Sequence, residues 1–152
     1  MGKAAKQVVT YCIRNDIGTL IVGYNTTFQR SSDLGRQMNQ VFVGIPFGIL
    51  RRKLKYLCEM NGIRYVEQEE SYTSMASFWD LDEMPVYGEA GFVPPVFSGR
   101  RICRGLYQDR SGRRINADVN GALNIMRKCN IVSLRALYAR GDVDTPVRIR
   151  IA

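Results

Sequence analysis

The first two-fifths of the chain alternates between helix-like and strand-like patterns of apolar positions. Apolar side chains at helical spacing predict a helix over residues 4–14 and a second helix over 46–62, which has a basic outer face. Short apolar runs predict a buried strand over 19–22 and another strand over 63–66. The order strand, helix, strand favours an α/β fold.

The remainder of the chain is less periodic. Residues 71–98 combine aromatic, acidic and proline residues without a repeat, and we expect them to form a long irregular insertion. Residues 99–115 include a turn sequence and predict a hairpin. A helix is predicted from Asn116 onward, and the spacing of apolar residues after 131 indicates a tail that ends in a strand over 147–151.

The charge balance indicates a polyanionic partner. The 152 residues include 22 Lys and Arg against 14 Asp and Glu, giving a net charge of +8 and a pI near 9.6. Such a surface attracts nucleic acid.

Basic residues are concentrated in two places. Six arginines crowd the predicted hairpin beside Tyr107, and this combination suits phosphates and unstacked bases. They are Arg100, Arg101, Arg104, Arg110, Arg113 and Arg114. On the predicted helix over 46–62, Arg51, Arg52 and Lys55 either follow a phosphate backbone or form an ordinary solvated face.

Composition also excludes several function classes. The chain has no histidine, which rules out imidazole bases and histidine-bound metals. Its four cysteines are scattered without a C-x-x-C pair, so we expect no zinc ribbon and no bound zinc. No apolar run reaches membrane-spanning length and no signal core occurs, so we expect no membrane partner and a cytoplasmic location.

Two groups of carboxylates are candidate metal ligands. Asp118 falls in the first turn of the predicted helix, where it either binds Mg²⁺ beside strand ends or only complements the helix dipole. Glu69 and Glu70 follow the strand over 63–66 and either converge on the same metal or form a solvated strand end.

Several short motifs occur in a fixed order along the chain. They are Asn39-Gln40 with Ile45-Pro46-Phe47, then Tyr56 with Gly62-Ile63, then Glu70-Ser71-Tyr72-Thr73-Ser74, then Phe97-Ser98-Gly99-Arg100-Arg101-Ile102 with Arg104-Gly105-Leu106-Tyr107, and Asn116-Ala117-Asp118-Val119-Asn120-Gly121-Ala122. In order and spacing this series resembles the C-terminal half of the TnpB family, over roughly residues 7 to 128. TnpB proteins are transposon-associated, RNA-guided DNA endonucleases related to type V CRISPR effectors.

The resemblance implies a RuvC-like, RNase H-like fold in which carboxylates hold two Mg²⁺ or Mn²⁺ ions for phosphodiester hydrolysis. DNA and a guide-type RNA are the implied partners. Asp118 matches the family's third acidic motif, and Glu69 or Glu70 is nominated for the second. The family's first aspartate has no place before Met1, so we expect cleavage to require the N-terminal half of the nuclease. Asp16 imitates that first motif, but it follows polar residues and is interpreted as a turn.

The resemblance also sets the expected domain organisation. Residues 1–130 are predicted to be the C-terminal portion of a RuvC-like domain, and residues 131–152 a tail. An irregular insertion at about 71–99 is expected to replace the four-cysteine zinc ribbon that family members commonly carry.

Three functions remain open on the sequence. The leading hypothesis is a nucleic-acid-binding fragment of a TnpB-type endonuclease that is inactive alone. The second is a nuclease-dead RNA- or DNA-binding regulatory module. The third is a complete small nuclease that uses Asp16, Glu69 or Glu70, and Asp118.

Overall fold

The computed structural model describes residues 2–25, 47–86, 95–143 and 145–147. The chain divides into two compact units, and the division falls between Glu67 and Gln68. Each unit has its own apolar core. Pro46, where the second predicted helix begins, and most of the predicted last strand lie outside the described residues.

The first unit contains two helices and two strands in the predicted order, and the last two residues of the second strand belong to the second unit. They are α1 (Gly2–Arg14), β1 (Thr19–Tyr24), α2 (Phe47–Met60) and β2 (Arg64–Glu69). The strands form a two-stranded parallel sheet, and β2 continues to Glu69, three residues beyond its predicted end. Asp16 lies in the turn after α1 with φ at 53°, as interpreted from the sequence.

The core of the first unit lies between its helices. Ala5, Val9 and Cys12 on α1 pack with Leu54 and Cys58 on α2. These positions repeat at three and four residues, so each helix presents a single apolar stripe. Strand β1 was expected to be buried and is half-buried at all six positions, since it has one neighbouring strand in the described part of the sheet.

The second unit is built on a three-stranded antiparallel sheet followed by two helices. The elements are β3 (Arg100–Cys103), β4 (Leu106–Gln108), β5 (Arg114–Asn116), α3 (Ala117–Cys129) and α4 (Arg135–Arg140). The single predicted hairpin is thus a three-stranded meander. Its first turn contains Gly105 at φ 80°, a conformation that favours glycine, and the sequence analysis did not recognise that turn.

Helix α3 begins where the sequence predicted. The Asn116 side chain accepts hydrogen bonds from the backbone N–H groups of Asp118 (2.9 Å) and Val119 (3.1 Å), which makes Asn116 the N-cap. The helix ends at Asn130, which adopts the left-handed conformation with φ at 51°.

The core of the second unit gathers around Phe78. Tyr107 and Ile115 from the sheet and Leu123 from α3 belong to it. Tyr138 of α4 stacks on the Phe78 ring at a centroid distance of 4.8 Å. The predicted boundary after residue 130 stays a prediction, while residues beyond it pack on this core.

The predicted irregular insertion has no helix or strand between Glu70 and Val86, yet it is fixed by one buried carboxylate. Asp82 accepts hydrogen bonds from the backbone N–H groups of Ser77 (2.8 Å) and Ser98 (2.9 Å) and from the Ser98 hydroxyl (2.5 Å). Arg127 of α3 also donates to the backbone carbonyl oxygen of Asp82. Burial opposes ionisation of Asp82, but these hydrogen bonds outweigh it, and the pKa of the carboxyl is lowered.

The mixture of helices with a parallel and an antiparallel sheet confirms the α/β class. The RNase H-like identity of the fold stays a prediction. Within the described ranges, no helix combines the length and apolar character needed to cross a membrane.

Replacing Asp82 with Ala is expected to destabilise the second unit by about 2–3 kcal/mol, because the buried Ser77 N–H and the partly buried Ser98 N–H lose their acceptor. The folded-state pKa of Asp82 lies below the unfolded value, which is near 3.9. The contribution of ionised Asp82 to the free energy of unfolding is therefore complete above the unfolded-state pKa and is lost as the pH falls through the folded-state pKa.

The measurement is urea unfolding followed by the fluorescence of Trp79, the single tryptophan, which lies in the second unit. Asp142→Ala is the matched control, because the Asp142 side chain is 77% exposed. Equal unfolding midpoints for the two variants would contradict the assigned role of Asp82.

Candidate nucleic-acid interface and carboxylate residues

One face of the three-stranded sheet carries a cross-strand row formed by Arg100, Gln108 and Arg114. Gln108 on the central strand is in register with Arg100 on one side and with Arg114 on the other. Their neighbours in the next row, Tyr107 and Ile115, are buried in the core. Since side chains alternate across a strand, the row faces away from the core.

The spacing of this row suits a chain of phosphates. Neighbouring strands lie about 4.8 Å apart, so the two arginine backbones are separated by roughly 10 Å across the central strand. Arg100 and Arg114 are both exposed, and Gln108 lies between them with its amide nitrogen donating to the Gly112 carbonyl at 3.1 Å. Each guanidinium offers a planar set of N–H donors that matches a phosphate.

Two further exposed arginines lie on the edge strand and directly after it. Arg101 is in register with Tyr107 and so lies on the other face of the sheet from Arg100, while Arg104 follows the strand in the turn, and the register between β3 and β4 shifts after Arg101. We call Arg100, Arg101, Arg104 and Arg114 the sheet arginines.

The other two arginines of the predicted cluster are held by contacts within the unit. The Arg113 guanidinium lies 4.5 Å from the centre of the Trp79 ring and donates to the Gly141 carbonyl at 3.2 Å. Arg110 donates to the Ser98 hydroxyl at 3.0 Å. All six arginines are exposed, but Arg110 and Arg113 also make contacts within the unit, and the phosphate-binding roles predicted for the arginines stay predictions.

The basic residues of α2 are a separate group in the first unit. Arg52 and Lys55 are exposed, whereas Arg51 forms an ion pair with Glu67 at 3.2 Å and lies 5.5 Å from the centre of the Tyr24 ring. Arg52 and Lys55 keep the solvent-facing position that the sequence predicted.

Asp118 lies in the first turn of α3 with an exposed side chain. The Asn116 cap fixes the helix start, and an acidic side chain at this end complements the helix dipole. Asp118 therefore presents a negative group to solvent two residues after the sheet ends at Asn116.

Glu69 has a different environment from Asp118. Its Oε2 atom lies 2.6 Å from the Lys128 ammonium, and its Oε1 atom accepts from the Ser71 N–H at 2.5 Å. Burial opposes ionisation, yet these interactions prevail and the pKa of Glu69 is lowered. Glu70 is half-buried, and its backbone carbonyl accepts from the Thr73 N–H and hydroxyl.

A divalent metal needs several oxygen ligands that converge. In the described ranges, no three acidic or cysteine side chains form a group able to hold a metal. An ammonium 2.6 Å from Glu69 repels a second cation, so Glu69 in this arrangement does not fit a metal ion. The metal roles predicted for Asp118 and Glu70 stay predictions.

Burial of two asparagines of α3 was not predicted from the sequence. Asn120 and Asn124 are 1% and 0% exposed, and their side chains bind the backbone of residues 73–78. The clue in the sequence is their spacing of four residues, which places two polar side chains on one helix face together with Leu123.

Cysteine chemistry is limited by burial. Cys12 and Cys58 lie in the core of the first unit, and burial raises the pKa of both thiols. Zinc binds the thiolate, so a raised pKa disfavours metal binding. Cys103 is exposed and Cys129 is half-buried.

Comparison with known proteins gives one family match. A family model described as "Cas12f1-like, TNB domain" matches residues 47–125, just over half of the chain. A comparison with curated proteins gives no match.

We expect the purified chain to contain no stoichiometric zinc, because two of its four thiols are buried with raised pKa values and histidine ligands are absent from the sequence. Elemental analysis after dialysis without chelator measures this directly. One zinc per chain would show that the cysteines form a site.

Proposed function

Because the chain belongs to the Cas12f1-like TNB-domain family, which agrees with the resemblance to TnpB, we propose that it is the nucleic-acid-binding C-terminal portion of a transposon-encoded, RNA-guided DNA endonuclease. The observation that supports the proposal best is the cross-strand row of Arg100, Gln108 and Arg114 on the outer face of the sheet. In the proposal, the sheet arginines bind the phosphate backbone of DNA or of a guide-type RNA.

The row favours backbone contact over base reading. Arginine forks match phosphate oxygens, and two exposed forks about 10 Å apart can engage separate phosphates of one strand. Gln108 lies between them and supplies a polar side chain rather than a like charge. Contacts of this kind position a nucleic acid without reading its sequence. They suit a nuclease whose target is chosen by base pairing with a guide.

We also propose that the chain contributes Asp118 and Glu70 to a RuvC-like site for Mg²⁺- or Mn²⁺-dependent hydrolysis. Two-metal hydrolysis requires carboxylates that hold both ions. In the proposal, another part of the nuclease supplies the first carboxylate. The residues of this chain would bind and orient the nucleic acid and present the exposed Asp118 carboxylate at the start of α3.

The double variant Arg100→Ala/Arg114→Ala is expected to weaken binding of single-stranded DNA and to reduce the slope of log affinity against log salt by roughly 1.4, about 0.7 for each lost phosphate contact. Fluorescence anisotropy over a salt series measures both quantities. Arg135→Ala/Arg140→Ala removes the same charge from exposed positions on α4 and is the matched control. If both double variants lower the slope equally, the sheet row has no special role.

The chain alone is expected not to cut DNA efficiently, because Asp118 and Glu70 provide only part of a two-metal site. The assay is Mn²⁺-dependent cleavage of single-stranded DNA by the purified chain, with Asp118→Ala and Asp16→Ala as comparisons. Robust cutting that both substitutions abolish would favour the complete small nuclease. Cutting that appears only when the N-terminal part of such a nuclease is added would support the proposal, and a failure of that addition would favour the binding module without nuclease activity.

A further inference from the structure

Three side chains at four-residue intervals join α3 to the segment from Glu69 to Phe78. They are Asn120, Asn124 and Lys128, and this spacing places them in one stripe along the helix. We call this stripe and its partners the α3 clamp. Every contact in it connects residues at least 42 positions apart in the sequence.

The asparagines hold the backbone of the segment. Asn124 donates to the carbonyl oxygens of Thr73 (2.9 Å) and Ala76 (2.8 Å). Asn120 donates to the Ala76 carbonyl at 2.8 Å and accepts from the Phe78 N–H at 3.1 Å. The segment therefore runs antiparallel to α3, with its beginning toward the end of the helix.

Lys128 completes the stripe at the beginning of the segment. Its ammonium contacts the Glu69 carboxylate at 2.6 Å and the Ser71 carbonyl oxygen at 3.2 Å. The side chains of Lys128 and Glu69 are only 10% and 19% exposed. Removing one partner of this shielded pair would be strongly destabilising, because the remaining charge would be left without compensation.

The stripe also separates Glu69 from Asp118. Lys128 lies ten positions after Asp118 on the helix, so their backbones are about 15 Å apart along the axis. Asp118 is exposed, whereas Asn120 and Asn124 are buried against the segment. Glu69 thus belongs to the end of the helix opposite Asp118.

The Asn124 amide shows what the clamp requires. Both of its hydrogen bonds use the amide nitrogen, and its Oδ1 atom is buried without a hydrogen-bond partner in the described part of the chain. A buried acceptor without a partner is unfavourable. What Asn124 contributes at this position is therefore its amide N–H donors, which bind the carbonyl oxygens of Thr73 and Ala76.

We propose that Asn120, Asn124 and Lys128 are positioning residues that fix the segment from Glu69 to Phe78 on α3, and that Glu69 is the anionic partner in this clamp rather than a metal ligand. The second part rests on the proposed function, since it concerns which carboxylates accompany Asp118. The first part is independent of it.

Hydrogen exchange of single amides tests the clamp. Glu69→Gln and Lys128→Met are each expected to accelerate exchange of the Ser71 N–H about tenfold, and the double variant should do no more than either single one. Asn120→Ala should do the same at the Phe78 N–H. Lys128→Arg should restore protection at Ser71, and Glu83→Gln and Arg135→Met, at exposed positions, should leave both amides unchanged. Additive effects of the Glu69 and Lys128 substitutions, or unchanged exchange at both amides, would overturn the clamp.

Mn²⁺ binding measured by electron paramagnetic resonance tests the assignment of Glu69. We expect Glu69→Gln to leave the dissociation constant for Mn²⁺ within about twofold of the unsubstituted chain and Asp118→Asn to raise it. If Glu69→Gln weakens Mn²⁺ binding as much as Asp118→Asn does, Glu69 is a ligand and the assignment is wrong. If the chain binds no Mn²⁺, Glu69 is not a ligand in it, and only the proposed metal role of Asp118 fails.

Discussion

The segment from Ser71 to Val86 forms no helix or strand, so its backbone N–H and carbonyl groups pair either in local turns, as Ala76 does with Tyr72, or with side chains. Amide groups of α3 and the carboxylate of Asp82 meet this requirement. Each buried backbone group left without a partner would cost about 1–3 kcal/mol. The irregular segment is consequently held in place by specific hydrogen bonds, and Phe78 within it can serve as the centre of the core of the second unit.

Helix α3 links the irregular segment, whose backbone it binds, to the sheet surface that faces nucleic acid in the proposed function. Asn116 is both the last residue of β5 and the cap of the helix. Arg114 and Asp118 are therefore joined by a short connection with fixed hydrogen bonds. The other side of the helix is bound to the segment that follows Glu69.

Local patterns in the sequence predicted the first three helices and the strand–helix–strand order of the first unit, because these depend on nearby residues, whereas α4 and the third strand of the meander were not predicted. The contacts that organise the second unit were not predictable in this way. Asn120 and Asn124 read as polar positions on an amphipathic helix, and Asp82 reads as one acid among several. Their partners lie up to 51 residues away in the sequence. Likewise, six neighbouring arginines look equivalent until strand register and the position of Trp79 separate them.

This separation of the arginines makes folding and binding respond differently to salt. The sheet arginines are exposed, and their attraction for phosphates is screened beyond about 8 Å at physiological ionic strength. The Asn120, Asn124 and Asp82 hydrogen bonds are buried, and screening reaches them far less. Arg113 stacks on Trp79 and so makes a contact within the unit, although its side chain is 45% exposed. Substitution of the sheet arginines can thus change the positive charge of the unit without disturbing the core on which the sheet packs.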